Sequence, residues 1–334
     1  MRILNISGSG CSRFIKEGLA VQELGHEVLF LSNEYRNQSI LPQINLLSYF
    51  DSNKENLKNK LELFRGVDIV HVHAEPFWLP SFIKDIFPNT KVICDIHDSD
   101  KIRYDRDNEH EISAYKDCDA FIFPSKLYRN ELKQLFKFKT DLTEIVYNKS
   151  HESVARMRPM PKIGGVAYQG GLTDETMPHR DYRELACWFS ILGIPFHLHF
   201  SNKVFARSYA NTGALLYSPL PFYNLMSRLT RYDWGLAASP NDKNPDGQWL
   251  KSAAHKFYEY AACGLPVVTW GESEMADVIR DTGCGYVFDN REHFLKNYNM
   301  HKDIRADLEN KRELFTMSTE GQKIVDFYED VLDG

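Results

Sequence analysis

Short apolar runs recur along the chain, each followed by a longer stretch in which apolar residues return every three or four positions. In the first half the runs cover residues 2–7, 27–31, 67–71, 91–95, 119–123 and 142–147, and stretches such as 14–24 and 77–87 have the helical period. This alternation is βαβ punctuation and predicts a parallel, doubly wound sheet. Residues 148–162 break it: they are polar and end on Met157-Arg158-Pro159-Met160-Pro161, the composition of a linker. The alternation then restarts at 163–168, 195–200, 214–217, 232–237, 266–269 and 285–288, and the chain closes on helical patterns at 304–314 and 319–332. The expected organisation is one doubly wound domain over 1–150, a linker over 151–162, a second such domain over 163–314 and a C-terminal helix over 315–334 that is a candidate to cross back to the first domain. Two such domains in succession are expected to face each other across a cleft, with ligands outside the carboxyl ends of the strands.

Composition narrows the function. The chain has 334 residues, 43% hydrophobic and 26% charged, enough apolar material for two cores. A net charge of −6 gives no global field toward nucleic acid. The six cysteines show no C-x-x-C spacing, and most lie in apolar runs, so reduced core thiols in a cytoplasmic protein are expected. Neither a signal peptide nor a membrane-spanning run is read from the sequence.

The most informative stretch runs from His255 to Val268, HKFYEYAACGLPVV. It reads as a helix starting near Ser252 and ending at Gly264, which suits the left-handed C′ position; Pro266 prevents continuation, and a buried strand follows. Lys256 and Glu259 share one helix face, and the helix N-terminus favours a diphosphate. The segment resembles the donor-site signature of retaining GT-B glycosyltransferases of the group-1 family, N-K-hydrophobic-x-E-Y-x-A-x-G-x-P-V in one branch. Lys256, Glu259, Tyr260, Ala262, Gly264, Pro266 and Val267 match it; His255 replaces the usual Asn, and Lys251 stands where many relatives carry a first glutamate. The resemblance implies that Glu259 holds the ribose hydroxyls of a nucleotide and that Lys256 neutralises its diphosphate.

Other loops fall in the same frame. Gly8 and Gly10 follow the first strand and let backbone amides approach a phosphate or sugar. Cys94-Asp95-Ile96-His97-Asp98 looks like the family's V-x-H-D motif, which implies that His97 lies beside the donor sugar and its phosphates and acts with Lys256 and Glu259 in catalysis. His73, in the strand Asp68-Ile69-Val70-His71-Val72-His73, and Asp98 are implied on the acceptor side. Gly170 and Gly171 follow the first strand of the second domain, with Arg180 the nearest downstream cation; Tyr217 and Leu220 belong to a loop that edges the base in the family. D-x-D occurs three times (Asp98, Asp105 and Asp117 begin it), too often to discriminate, and His71 with His73 lacks a third ligand nearby in sequence, so no metal is expected. The polar segment 239–250 is a candidate to close over the donor.

These residues imply a cytoplasmic transferase that moves a sugar from a UDP- or GDP-type donor to an acceptor hydroxyl, with retention and without metal or other cofactor. The acceptor is a glycan, a lipid-linked sugar or a modified base. The basic and aromatic stretch from Lys126 to Lys139 has the composition to touch an anionic inner-membrane face. Alternatives are a DNA-directed transferase of phage type, a sugar-nucleotide epimerase and an inactive binding module, which the fold alone does not separate.

Overall fold

The computed structural model describes residues 1–8, 11–32, 54–73, 76–173, 180–200, 205–240 and 250–334. Gly10 and most of the 239–250 segment lie outside the described residues. The chain divides into two compact units, Met1–Asn148 with Met317–Gly334, and Lys149–Thr316.

The first unit carries a six-stranded sheet of β1 (Arg2–Ser7), β2 (Glu27–Ser32), β3 (Ile69–His73), β4 (Lys91–Asp95), β5 (Ala120–Phe123) and β6 (Thr143–Ile145). Its order is β2-β1-β3-β4-β5-β6, and every pairing is parallel. Strands of this sheet are covered on both faces, which is why they read as apolar runs rather than alternations. One core gathers Leu4, Val70, Val92 and Phe121 with the helix Trp78–Ile86; the other gathers Ile3, Ile69 and Ile93 with the helices Ser12–Glu23 and Ser318–Asp333. The C-terminal helix thus belongs to the first unit. Gly321 permits its contact: a Cβ there would lie 3.2 Å from the carbonyl oxygen of Ala20. The third strand begins two residues later than expected, at Ile69, where its ladder with β1 starts opposite Ile3; the Asp68 N–H just before it donates to the Arg2 carbonyl of β1 at 2.8 Å.

The second unit carries β7 (Val166–Gly170), β8 (Phe196–Phe200), β9 (Leu215–Tyr217), β10 (Trp234–Leu236), β11 (Val267–Trp270) and β12 (Gly285–Phe288) in the order β12-β11-β10-β7-β8-β9, again all parallel. Residues 151–162, expected as a linker, fall in this unit, with a short helix at Glu152–Ala155 tied down by Arg312, whose Nη2 donates to the Val154 carbonyl at 2.9 Å.

The helix that carries the signature spans His255–Ala262. It starts three residues after Ser252; Ala254 occupies the N-cap and supplies no side-chain cap. Gly264 has φ +70°, as the C′ reading requires. The helix is seated by Tyr260. A Cβ on Gly235 of β10 would lie 2.5 Å from the Tyr260 ring, so only glycine admits it there, and the Tyr260 hydroxyl accepts from the Gln169 backbone N–H at 2.8 Å.

Candidate functional site

Each sheet reverses its strand order once, between β1 and β3 in the first unit and between β7 and β10 in the second. Ligands of doubly wound sheets bind outside the carboxyl ends of the strands at such points. Most of the chemistry-bearing residues gather there.

In the second unit a cavity of about 320 Å³ is lined by Gln169, Gly170, His199, Ser218, Leu220, His255, Lys256 and Glu259, with Phe200, Pro219 and Leu225. Glu259 is 8% exposed, and its Oε2 accepts from the Gln169 side-chain amide at 2.6 Å. That bond holds the carboxylate on the cavity wall. The Lys256 ammonium stands 4.1 Å from the centre of the Tyr168 ring, a cation–π contact. Burial and then the like charge of Arg180 hold this amine well below the ordinary lysine range, against the pull of Glu259. The Tyr168 hydroxyl donates to the Gly171 carbonyl at 3.0 Å, and burial pushes that phenol up to about 12. Gly170 has φ +136°, and a Cβ there would approach the Tyr168 hydroxyl to 3.2 Å and Lys256 Nζ to 3.4 Å. Arg180 closes on the same turn: a Cβ on Gly171 would lie 2.9 Å from its Nη1. The structure therefore gathers Gly170, Gly171, Arg180, Lys256 and Glu259 around one turn, and His255 and Leu220 on the same cavity. Tyr217 is placed otherwise. It stands behind the cavity, stacked on His199 at 4.7 Å with 13° between the rings.

The first unit holds a buried charge network. Arg13, fully buried, sends Nε to both carboxylate oxygens of Asp95 (3.0 and 2.8 Å) and Nη2 to Asp95 at 2.7 Å and Glu17 at 2.9 Å. Asp95 takes the larger share of the guanidinium. Burial pushes its carboxyl up, but the Arg13 charge and the hydrogen bond from His97 overcome this and hold it well below the usual carboxylate range. Glu17 is left the other way: burial raises it well above that range, and Arg13 offsets only part. His71 is pushed down to about 4 by burial, and its Nδ1 meets the Tyr328 hydroxyl of the C-terminal helix at 2.7 Å. His73, also held low by burial, stacks on His71 at 4.6 Å and reaches the Asn5 side-chain oxygen at 3.0 Å. It is only 1% exposed. The reason is its strand: the late start of β3 places both histidines within the sheet.

His97 stands at the edge of this network. Its Nδ1 meets Asp95 Oδ1 at 3.0 Å and its Nε2 lies 3.8 Å from Cys11 Sγ. Burial works against a charged ring, but interactions with Cys11 and Asp95 outweigh it and hold His97 well above the usual histidine range. Asp98 pairs with Arg103 at 3.4 Å. Gly8 lines a separate cavity of about 350 Å³ with Phe77, Trp78, Asp100, Asn108 and His110.

Glu17, His71, His73 and Asp95 bring four ligand atoms within 4.8 Å of one another, a donor set that suits a cation. Arg13 already supplies positive charge to that place. Arg13, Glu17, Asp95, Gln169 and His199 were not singled out from the sequence. Charged residues on the first turns of a helix that follows a glycine loop, as Arg13 and Glu17 do, were the available signal.

In the stretch from Lys126 to Lys139, the helix Lys126–Leu135 buries Tyr128 and Leu132, and Phe136 and Phe138 pack on Tyr115 at 5.0 and 4.9 Å. The aromatic half of that stretch faces the core. Among the described residues no helix is long and apolar enough to cross a membrane.

Residues 18–148 match the family described as Glycosyltransferase Family 4. No curated protein matches in sequence. Among solved structures, HepE from Anabaena in complex with UDP and glucose is similar at a TM-score of 0.72, with 12% identity and 98% of both chains covered. Sucrose-phosphate synthase from Thermosynechococcus elongatus gives 0.71, with 12% identity and 100% of both chains covered. An alpha-glucosyltransferase in complex with UDP and a 13-mer DNA containing an HMU base gives 0.68, with 12% identity and 100% of both chains covered. Likeness over the whole chain, with two parallel six-stranded sheets flanked by helices, identifies the architecture as the GT-B fold.

Proposed function

We propose that this chain is a glycosyltransferase that takes a sugar from a UDP- or GDP-type donor and passes it, with retention and without a metal, to an acceptor hydroxyl in cell-surface glycan or glycolipid synthesis. The observation that carries the reading is the shared cavity of Glu259, Lys256 and Gly170. A carboxylate held by Gln169 is a good acceptor for two vicinal ribose hydroxyls. A glycine of positive φ and an ammonium beside it suit the diphosphate. The family match and the UDP-bound neighbours support the donor class.

In this scheme the bond from the anomeric carbon to the phosphate oxygen breaks, and its electron pair goes to the β-phosphate. Lys256, Arg180 and the amides of the glycine turn meet that charge. The acceptor oxygen bonds the anomeric carbon on the face the phosphate leaves, and its proton passes to the departing phosphate oxygen. No protein nucleophile is required. His97 is the first unit's candidate to donate a hydrogen bond to the donor.

Glu259→Ala is expected to raise donor KM and lower kcat/KM at least about tenfold, read from steady-state kinetics with UDP- and GDP-sugars. Kinetics like the unaltered enzyme's would sink the assignment. A modified base as acceptor is the second reading, motivated by the neighbour bound to DNA. Salt-sensitive binding to DNA carrying such a base would favour it, and an epimer formed from donor alone, seen by NMR, would replace both.

A further inference from the structure

Exposure alone ranks the six cysteines simply. Cys187 is exposed, Cys11 is partly buried, and Cys94, Cys118, Cys263 and Cys284 are buried. The surroundings of Cys11 reverse the order that exposure gives. It is the N-cap of the helix Ser12–Glu23, and its Sγ accepts from the Phe14 backbone N–H at 3.5 Å. Serine, threonine, asparagine and aspartate are the usual residues there, since a neutral thiol is a weak acceptor. A thiolate is a strong one, and the N–H groups and dipole at the helix start favour its charge.

A second segment brings a base. At the end of β4, His97 Nε2 lies 3.8 Å from Cys11 Sγ, and Nδ1 lies 3.0 Å from Asp95 Oδ1. Asp95 is ionised and can only accept, so Nδ1 carries its hydrogen and donates it to Asp95. One proton is then shared between Nε2 and Sγ, and Asp95, itself held by Arg13, orients the ring that shares it. The other charged groups nearby leave this pair unopposed. Arg13 and Asp95 cancel as an ion pair at 2.7 Å, and burial disfavours a charge on Glu17 of the same helix and on His73 of β3, whose ring lies 6.0 Å from that of His97. The pair is also reachable, since the His97 side chain is 13% exposed and Cys11 is only partly buried. A sulfur, a base within reach of it and a carboxylate that orients the base form the arrangement that activates a nucleophile.

We propose that Cys11 is a modification site, whose sulfur, held between a helix N-terminus and the Asp95-oriented imidazole of His97, reacts with small electrophiles such as hydrogen peroxide ahead of the exposed Cys187. In the peroxide reaction the sulfur attacks one oxygen; an S–O bond forms and the O–O bond breaks. Sulfur is oxidised by two electrons, and the peroxide is reduced by the same two. The proton shared with His97 goes to the departing hydroxide, which leaves as water, and Cys11 becomes a sulfenic acid. This reactivity requires neither a donor nor an acceptor sugar, so it stands apart from the transferase reading.

The test is alkylation of the full chain at pH 7 with limiting iodoacetamide, the adduct at each cysteine being followed by peptide mass spectrometry. Cys11 is expected to react at least about tenfold faster than Cys187. His97→Gln, which is polar but cannot take the proton, should slow Cys11 at least about fivefold and leave Cys187 unchanged, with circular dichroism reporting an intact fold. Peroxide followed by dimedone should label Cys11 before Cys187, and dithiothreitol added between the two should abolish the label. Cys187 reacting as fast as Cys11 overturns the proposal without need of any variant. An unchanged Cys11 rate in a folded His97→Gln protein overturns it as well, and so does peroxide treatment that leaves no dimedone adduct on Cys11.

Discussion

The two units use one sheet plan and dispose of their polar residues in opposite ways. In the first, Arg13, Glu17, Asp95, His71 and His73 are packed out of solvent and answer one another. In the second, Glu259, Lys256 and His199 are spread over the wall of a cavity, and two of them are hydrogen-bonded in place, Glu259 by Gln169 and His199 by Tyr232. The first network is sealed from solvent without being fully paired: both Glu17 carboxylate oxygens, His71 Nε2 and His73 Nδ1 are buried with no hydrogen-bond partner among the described residues. An open wall keeps capacity that a ligand can fill. The first unit's polar side chains are thus sealed among themselves, and the second unit's line a cavity.

The largest expected effect breaks the closed network. Arg13→Met leaves Asp95 ionised and buried without its partner, and breaking one side of a buried pair typically costs about 3–5 kcal/mol. Asp95→Asn should cost a similar amount, because Arg13 is then the unpaired charge. Glu17→Gln should cost less than Asp95→Asn, since burial already raises that carboxyl and disfavours its charge, and the amide has its shape. Urea denaturation at pH 7 measures all three. A Glu17→Gln penalty equal to that of Asp95→Asn would show that both carboxylates share the guanidinium as full charges.

The next effect separates the units by pH. His197 is pushed down to about 4 and His199 to about 3, chiefly by burial, whereas both titrate near 6.5 when unfolded. Below pH 6.5 the unfolded state binds more protons than the folded one, so the stability these rings contribute is present above 6.5 and lost as pH falls toward their folded values. Each should contribute a loss of about 2 kcal/mol between pH 7 and 5, and His197→Phe should remove one such share from the pH dependence of unfolding. In the first unit His71 and His73 act in the same sense. His97 acts in the other: held high, it contributes stability below 6.5 that is lost as pH rises through its folded value. Glu17, also held high, binds protons in the folded state that the unfolded chain has released, so its term too falls as pH rises. A second-unit transition that does not weaken toward pH 5 would remove this distinction.

How much of this could be read from residues alone follows the same divide. The strands β1, β4 and β12 have the bounds their apolar runs predict, because burial on both faces leaves an unmistakable pattern. The end of the signature helix was legible too, since Gly264 and Pro266 each act through local backbone geometry. Its start was not: Ser252 looks like a cap, but the helix begins after Ala254. The buried network was invisible because Arg13 and Asp95 are 82 positions apart and meet only when β1 and β4 are placed one strand apart. Residues 126–139 show the cost of reading composition before period. Tyr128, Leu132 and Phe136 recur every four residues and mark a core-facing stripe, which leaves the lysines as its solvent side.

The smallest expected effect sharpens the comparison from the open side. Burial and Arg180 hold the Lys256 amine well below its ordinary range. A nucleoside diphosphate placed beside it reverses the balance, because two phosphate charges favour the ammonium more than Arg180 opposes it. Binding should therefore be accompanied by proton uptake. The heat of UDP binding should then differ between phosphate and Tris buffers, whose ionisation enthalpies differ, in proportion to that uptake. Lys256→Met should abolish the buffer dependence while weakening the affinity, since it removes the titrating group and the charge together. His97→Asn should leave the buffer dependence of UDP binding in place, if the first unit's histidine is held by Asp95 whether or not the donor is bound. Equal heats in the two buffers for the unaltered protein would mean that Lys256 already carries its charge before the nucleotide arrives.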